Sequence, residues 1–443
     1  MSRTSGSFRI AAAATACLAA LGLLATACGD GSGDGSGKAA GGGSAAQPVE
    51  ITYWSWMPGT KQTAEAFNAS HDTVKVKFAE VPAGLAGGYD KLAAAVKAGN
   101  GPDVMNIEYQ ALPDLVTQGL LADSSKLLGP TVKKQPEQVQ ALVTLGGKQW
   151  AAPFDVAPQL LYYRKDLFEQ RKIAVPSTWA EFRTAAEAIK KADPGARITS
   201  FWGDEAATWA GLAQQAGARW YGTHGDAWKV NINDAATKKV AAYWGDLVKN
   251  DLVFNHKAWS PESTKATSEN KVYTRLGASW SAGSLKTEQA KQEGKWASVA
   301  LPGWGDGKVG MVGGSSFAVI KDSKKAQAAA EFVTWATTSP EAVKARLSPG
   351  TSSAMPADEA LRETAKASFD TTFFGGQDIY ATASAQVPHI ATGWVWSPVH
   401  NATSVQLVAA LAKTQDGDFA AAFDTAQAAA EKLIDDRGLK LAR

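Results

Sequence analysis

Asp155 is a carboxylate set between two apolar runs, Trp150 to Phe154 before it and Leu160-Leu161-Tyr162-Tyr163 after it. Such a group is costly to bury unless something pairs with it. If the runs are strands crossing from one domain to another, Asp155 stands at the mouth of a cleft, ready to accept hydrogen bonds from a polar ligand. The alternative is a surface acid in a turn. Glu80, Glu108 and Glu205 offer the same chemistry from predicted strand ends or loops. The chain also holds sixteen tryptophans. Indoles at strand ends and in loops suit a ligand with an apolar C–H face and a rim of hydroxyls, as on a pyranose ring. Trp179, Trp244 and Trp335 are assigned instead to packing.

Catalytic patterns are missing. There is no G-x-S-x-G elbow, no phosphate-binding G-x-x-x-x-G-K-[ST] and no H-E-x-x-H among the five histidines. Of the two cysteines, Cys17 lies in the apolar N-terminal run and Cys28 at its end, so the body has no disulfide or thiol chemistry. A glycoside hydrolase would need two carboxylates across the scissile bond, and no motif places such a pair.

The elements that must position these residues alternate. Val49 to Trp56 reads as a strand ending in aromatics, Lys61 to Ala69 as a helix and Thr73 to Val81 as a strand. Tyr89 to Ala98 is helical, and a Gly99-Asn100-Gly101-Pro102-Asp103 turn leads into a strand ending at Ile107. This order predicts α/β layers with a covered parallel sheet, whose ligands bind beyond the carboxyl ends of strands. Trp56, Glu108 and Tyr109 stand at such ends. Leu160 to Tyr163 predicts a buried strand, and Thr178 with Glu181 a capping box opening the next helix. Ala218 to Trp228 reads as an aromatic-bearing stretch running into a loop, and Val299 to Gly303 as a strand returning to the first domain. Gly313-Gly314 permits close approach of main chain to ligand or to another strand.

Three segments together resemble the carbohydrate-type extracellular solute-binding proteins (family 1), the capture subunits of ABC importers. They are Trp150-Ala151-Ala152-Pro153-Phe154-Asp155, Leu161 to Phe168 (LYYRKDLF) and Pro176 to Phe182 (PSTWAEF). Gly101-Pro102-Asp103-Val104 and Gly310 to Ile320 extend the likeness. Thr274-Arg275 departs from it, where an apolar pair is commoner. The resemblance implies a two-lobed periplasmic-binding-protein-like fold of type II, its discontinuous lobes joined by a hinge around the ligand cleft. One lobe would take 48–154 with 309–352 and the other 155–308 with 353–443. It also implies a stacking role for Trp280 and Trp394, with Trp56, Glu80, Glu108, Tyr109, Asp155, Glu205 and Gly314 completing the candidate site. A mono- or oligosaccharide would be the ligand and a membrane permease the partner, with no cofactor, metal or catalysis and a monomeric chain. A secreted carbohydrate-active hydrolase and a ligand-sensing surface lipoprotein remain alternatives.

Residues 1–27 read as a signal peptide, with Arg3 and Arg9 before an alanine-rich apolar run. Ala25-Thr26-Ala27-Cys28 resembles a lipobox, with Ala25 where Leu is the better match, and implies lipidation at Cys28. Residues 29–47 form a Gly/Ser/Ala tether. Such a protein would sit lipid-anchored on the outer face of a bacterial cell membrane. Without Arg3 and Arg9 the count is 43 basic against 43 acidic residues, which argues against nucleic acid as a partner.

Overall fold

The computed structural model describes residues 47–414 and 416–442. The signal segment, the proposed lipidation at Cys28 and the tether up to residue 46 lie outside the described residues. In chain order the first strands are β1 Val49–Ser55, β2 Val74–Glu80, β3 Val104–Glu108, β4 Thr144–Leu145, β5 Lys148–Gln149, β6 Ala152–Pro153 and β7 Leu160–Arg164. They are followed by β8 Arg197–Phe201, β9 Tyr221–His224, β10 Ala227–Val230, β11 Phe254–Asn255, β12 Val272–Gly277, β13 Trp296–Ala300 and β14 Ser315–Val319.

Two five-stranded sheets, in separate lobes, carry the molecule, in the orders β2-β1-β3-β14-β6 and β11-β8-β12-β7-β13. In the first, β1 runs parallel to β2 and β3, while β14 is antiparallel to β3 and β6. In the second, β8 is parallel to β11 and β12, and β7 lies antiparallel between β12 and β13. Strand–helix–strand connections generate the parallel pairs, because consecutive parallel strands need a crossover. Along β1, Ile51, Tyr53 and Ser55 are fully buried while Trp54 on the opposite face is half-buried under Lys91.

The chain passes from the first sheet to the second through Phe154–Gln159. The predicted return at Val299–Gly303 falls elsewhere. Val299 and Ala300 close β13, paired with Leu161 and Leu160 in the second sheet. Residues 301–314 then make the return as irregular backbone, and the strand in the first sheet is β14. Pro302 and six glycines in that stretch explain why it is not a strand. A third connection runs alongside the first, where Val156 N donates to Met355 O at 3.1 Å and Ala357 N to Phe154 O at 3.3 Å. Past it the apolar side chains divide. Leu361, Phe369, Phe373 and Tyr380 pack into the core that holds the first sheet, and Leu407, Phe419 and Phe423 into the core of the second.

Local chemistry fits these elements. Thr178 and Glu181 form the capping box of the helix Trp179–Ala192. Residues 221–230, read as part of an aromatic stretch and loop, form the hairpin β9–β10, turning at Gly225-Asp226 with Gly225 at φ 60°. The polar pair in β12 also has a reason. Thr274 Oγ1 donates to Ile198 O at 2.8 Å, and Arg275 lies against the rings of Trp202 and Trp259 while bonding Glu288 at 2.8 Å. Among the described residues no helix is long and apolar enough to cross a membrane.

Candidate functional site

The carboxyl ends of β1 and β3, the first and second crossings, and the loops of the second lobe meet around a cavity of about 410 Å³. Trp56, Glu108, Asp155, Glu205, Trp280 and Gly314 all line it. Trp56 directly follows β1 and stands edge-on to Tyr89, with centroids 5.9 Å apart at 84°. Glu108 ends β3 and accepts from Tyr89 Oη at 3.0 Å and from Gln110 Nε2 at 3.4 Å. Glu205 caps the helix Ala206–Gln215 by accepting from Thr208 N at 2.7 Å. Burial raises the pKa of both glutamates. The charge of Glu205 adds to the rise at Glu108, and that of Asp204 to the rise at Glu205.

Asp155 is only 3% exposed. Its Oδ1 accepts from Ser315 N at 2.7 Å, and its backbone oxygen accepts from Tyr109 Oη at 2.7 Å. Burial pushes its carboxyl up to about 7, against the opposing pull of the Ser315 N–H and the Arg346 guanidinium. Arg346 is itself buried, 4.4 Å from the centre of the Phe154 ring.

Trp280 follows the small residues Ala278 and Ser279, and its Nε1 donates to Val312 O at 3.0 Å. That bond ties the ring to the second crossing. Gly313 and Gly314 sit at φ 73° and 91°, in the left-handed region open to glycine. A Cβ at 314 would also meet the Tyr109 ring at 2.9 Å.

Three of the expected residues stand elsewhere. Glu80 is exposed at the end of β2 and lines none of the cavities described here. Tyr109 is buried behind Gly314 and props the Asp155 backbone. Together with Trp394 it lines a separate cavity of about 480 Å³ beside Gly313. Trp394 packs on Trp220 and Trp396, with both centroid distances 5.3 Å.

Sequence reasoning missed Trp259, Gln110 and Gln159. Trp259 is 51% exposed, holds φ 59° and lines the cavity, with its ring 4.4 Å from Trp202 and 6.2 Å from Trp280. A non-glycine residue in the left-handed region that exposes an indole points to a site rather than to packing. The available signal was the Ser260-Pro261 helix start immediately after it. A second cavity of about 440 Å³ adjoins the first, sharing Glu108, Gln110, Glu205 and Trp259 and reaching Trp396 and His400. Among the described residues no group of three His, Cys, Asp or Glu is arranged to hold a metal ion.

A cavity walled by indoles and carboxylates from two sheets is suited to enclosing a polar solute. Residues 53–343 match the family described as bacterial extracellular solute-binding protein. The lactose-binding protein of Rhizobium radiobacter is 27% identical over 313 residues, or 66% of this chain and 71% of that protein. The galacto-N-biose-/lacto-N-biose I-binding protein of the ABC transporter from Bifidobacterium longum, solved with lacto-N-biose, gives a TM-score of 0.80. It is 27% identical, over 89% of this chain and 99% of that one. An ABC transporter associated binding protein from B. animalis subsp. lactis Bl-04, solved with beta-1,6-galactobiose, gives 0.78 at 25% identity, over 89% and 100%. The architecture is the two-lobed type II solute-binding fold. With a family match spanning well over half its length, the chain belongs to the bacterial extracellular solute-binding proteins.

Proposed function

We propose that this protein is the substrate-binding component of an ABC-type sugar importer, capturing a mono- or oligosaccharide between its lobes and delivering it to a membrane permease. One observation carries the reading: the cavity joining Trp56, Trp259 and Trp280 to Glu108, Asp155 and Glu205. Indoles stack on the C–H face of a sugar, and carboxylates accept its hydroxyls in charge-assisted hydrogen bonds. The sugars named for the similar proteins agree with that chemistry.

Trp56, Glu108, Asp155, Glu205, Trp259 and Trp280 touch the ligand in this reading, while Gly314 lets the backbone approach. Tyr109 positions Asp155, and Trp394 serves a neighbouring subsite. The lobes divide as 48–154 with 309–352 and 155–308 with 353–443, with Leu361 to Val387 packed across the division. Hinge closure on the ligand presents a liganded surface to the permease. No bond is made or broken. Lipidation at Cys28 anchors a monomer to the outer face of the membrane.

A thermal-shift screen of the full chain tests this, using mono-, di- and oligosaccharides with amino acids and polyamines as controls. A ligand that binds only the folded state raises the melting temperature. A shift with one sugar class supports the reading, and a shift with a non-sugar control alone removes the carbohydrate assignment.

A further inference from the structure

The cleft presents acceptors and acids without a compensating base. Among the described residues no Lys or Arg lines the two adjoining cavities or the narrow recess beneath Trp280 and Trp202. Glu108, Asp155, Asp204 and Glu205 do line them. Burial pushes His400 in the second cavity down to about 4, so its ring is neutral. Arg275 is screened by the indoles of Trp202 and Trp259, at 5.1 and 5.3 Å from their centres, and is tied to Glu288. Arg346 offsets the charge of Asp155 without lining either cavity. Among the described residues Glu108, Asp204 and Glu205 have no such counter-charge at the cavity wall.

Two buried amides extend the pattern independently. Gln110 is 5% exposed and turns its Nε2 to Glu108, leaving Oε1 without a hydrogen-bond partner. Gln159 is 1% exposed and lines the recess, and its Oε1 also lacks a partner. A buried acceptor without a donor is costly, and a ligand whose donors reach these amides relieves that cost. Glu108 comes from the first sheet and Glu205 from the second lobe, so closure brings like charges toward each other. A cation between them converts that repulsion into attraction.

We propose that the ligand of this cleft carries a positively charged amine, as an amino sugar with an unacylated amino group, and that uronates and phosphosugars are excluded. This rests on the carbohydrate reading above. The ammonium supplies three donors, and the indoles accept either the sugar's C–H face or the cation itself.

Calorimetric titration of the full chain decides it. The probes are matched glucose- and galactose-derived mono- and disaccharides in neutral, 2-amino, N-acetylated and uronate forms. The 2-amino form is expected to bind at least about tenfold more tightly than its neutral counterpart, with no binding of the uronate. Glu108→Gln combined with Glu205→Gln should bring the amino and neutral forms to within about twofold. Since Glu205 also caps a helix, Glu108→Gln alone serves as the second variant, in which the ratio of amino to neutral affinity should shrink whatever loss the two forms share. Neutral or N-acetylated sugar binding as tightly as the amine, or any uronate binding, overturns the proposal and leaves the carbohydrate reading standing. If no form binds, the proposal falls, and the wider glycan screen decides the carbohydrate reading separately.

Discussion

The Asp155 carboxylate accepts a hydrogen bond from the Ser315 backbone N–H at 2.7 Å, tying the first crossing between the lobes to the strand that follows the second. The same acid has its backbone held by Tyr109 and its charge faced by Arg346.

That burial makes stability depend on pH. Asp155 lies at about 7 in the folded chain against an ordinary 3.8. Between those values the folded state keeps a proton that the unfolded chain has lost. The contribution to stability is therefore present below about pH 4 and is lost as pH rises to about 7. That difference corresponds to about 4 kcal/mol as an upper bound. Asp155→Asn keeps an acceptor for Ser315 and should flatten the fall in melting temperature between pH 4 and 7. Parallel wild-type and variant curves would sink this account of the acid.

Gly314→Ala should destabilise the fold by about 1–3 kcal/mol, since φ 91° is strained for any L side chain and the new Cβ collides with the Tyr109 ring. Urea unfolding measures it. Tyr109→Phe retains the ring, so the loss should persist in that background, whereas in a double-mutant cycle Gly314→Ala should cost less in the Tyr109→Ala background than in the wild type.

Tryptophans should sort by place. Trp244→Ala, in a fully buried position stacked on Phe201 at 4.1 Å, should cost about 3–5 kcal/mol of stability. Trp259→Ala should leave stability within about 1 kcal/mol and lower ligand affinity at least about tenfold. Comparing denaturation midpoints with titrations separates the two. A large loss of stability in the Trp259 variant would assign that ring to packing.

Asp114, fully buried in the helix Leu112–Thr117, bonds Arg437, which follows the C-terminal helix, and accepts from Asn401 N at 2.8 Å. Arg437→Ala removes the charge partner of that carboxylate, leaving Gln118 Nε2 and Asn401 N as its donors, and should cost about 1–3 kcal/mol. Adding Asp114→Asn should recover at least half of the loss in a double-mutant cycle. Additive losses would show that the two residues are not coupled.

Where composition and local chemistry act together, the sequence was readable. The β7 run, the Thr178–Glu181 cap and the strand expected to end at Ile107 needed only propensity and turn residues, and β3, one residue longer, delivers Glu108 to the cavity. Asp155 was legible as an acid between apolar runs. Trp259 was not, because its placement depends on one left-handed residue and on Trp202 and Arg275, distant in sequence. Tyr109 and Trp394 were set at plausible positions, but which side of Gly313-Gly314 each ring occupies is decided by tertiary packing. The β9–β10 hairpin had a Gly-Asp turn signal between its aromatics, which the loop reading passed over.

The central claim is reversible capture of a carbohydrate in the cleft of Trp56, Trp259, Trp280 and Asp155. It is tested most directly by calorimetric titration of the full chain with the sugar class that raises its melting temperature, followed by chromatography of the recovered sugar. The account predicts saturable one-site binding, lost in Trp280→Ala, with the sugar recovered intact. Absence of binding by every glycan, or recovery of cleaved sugar, would contradict it.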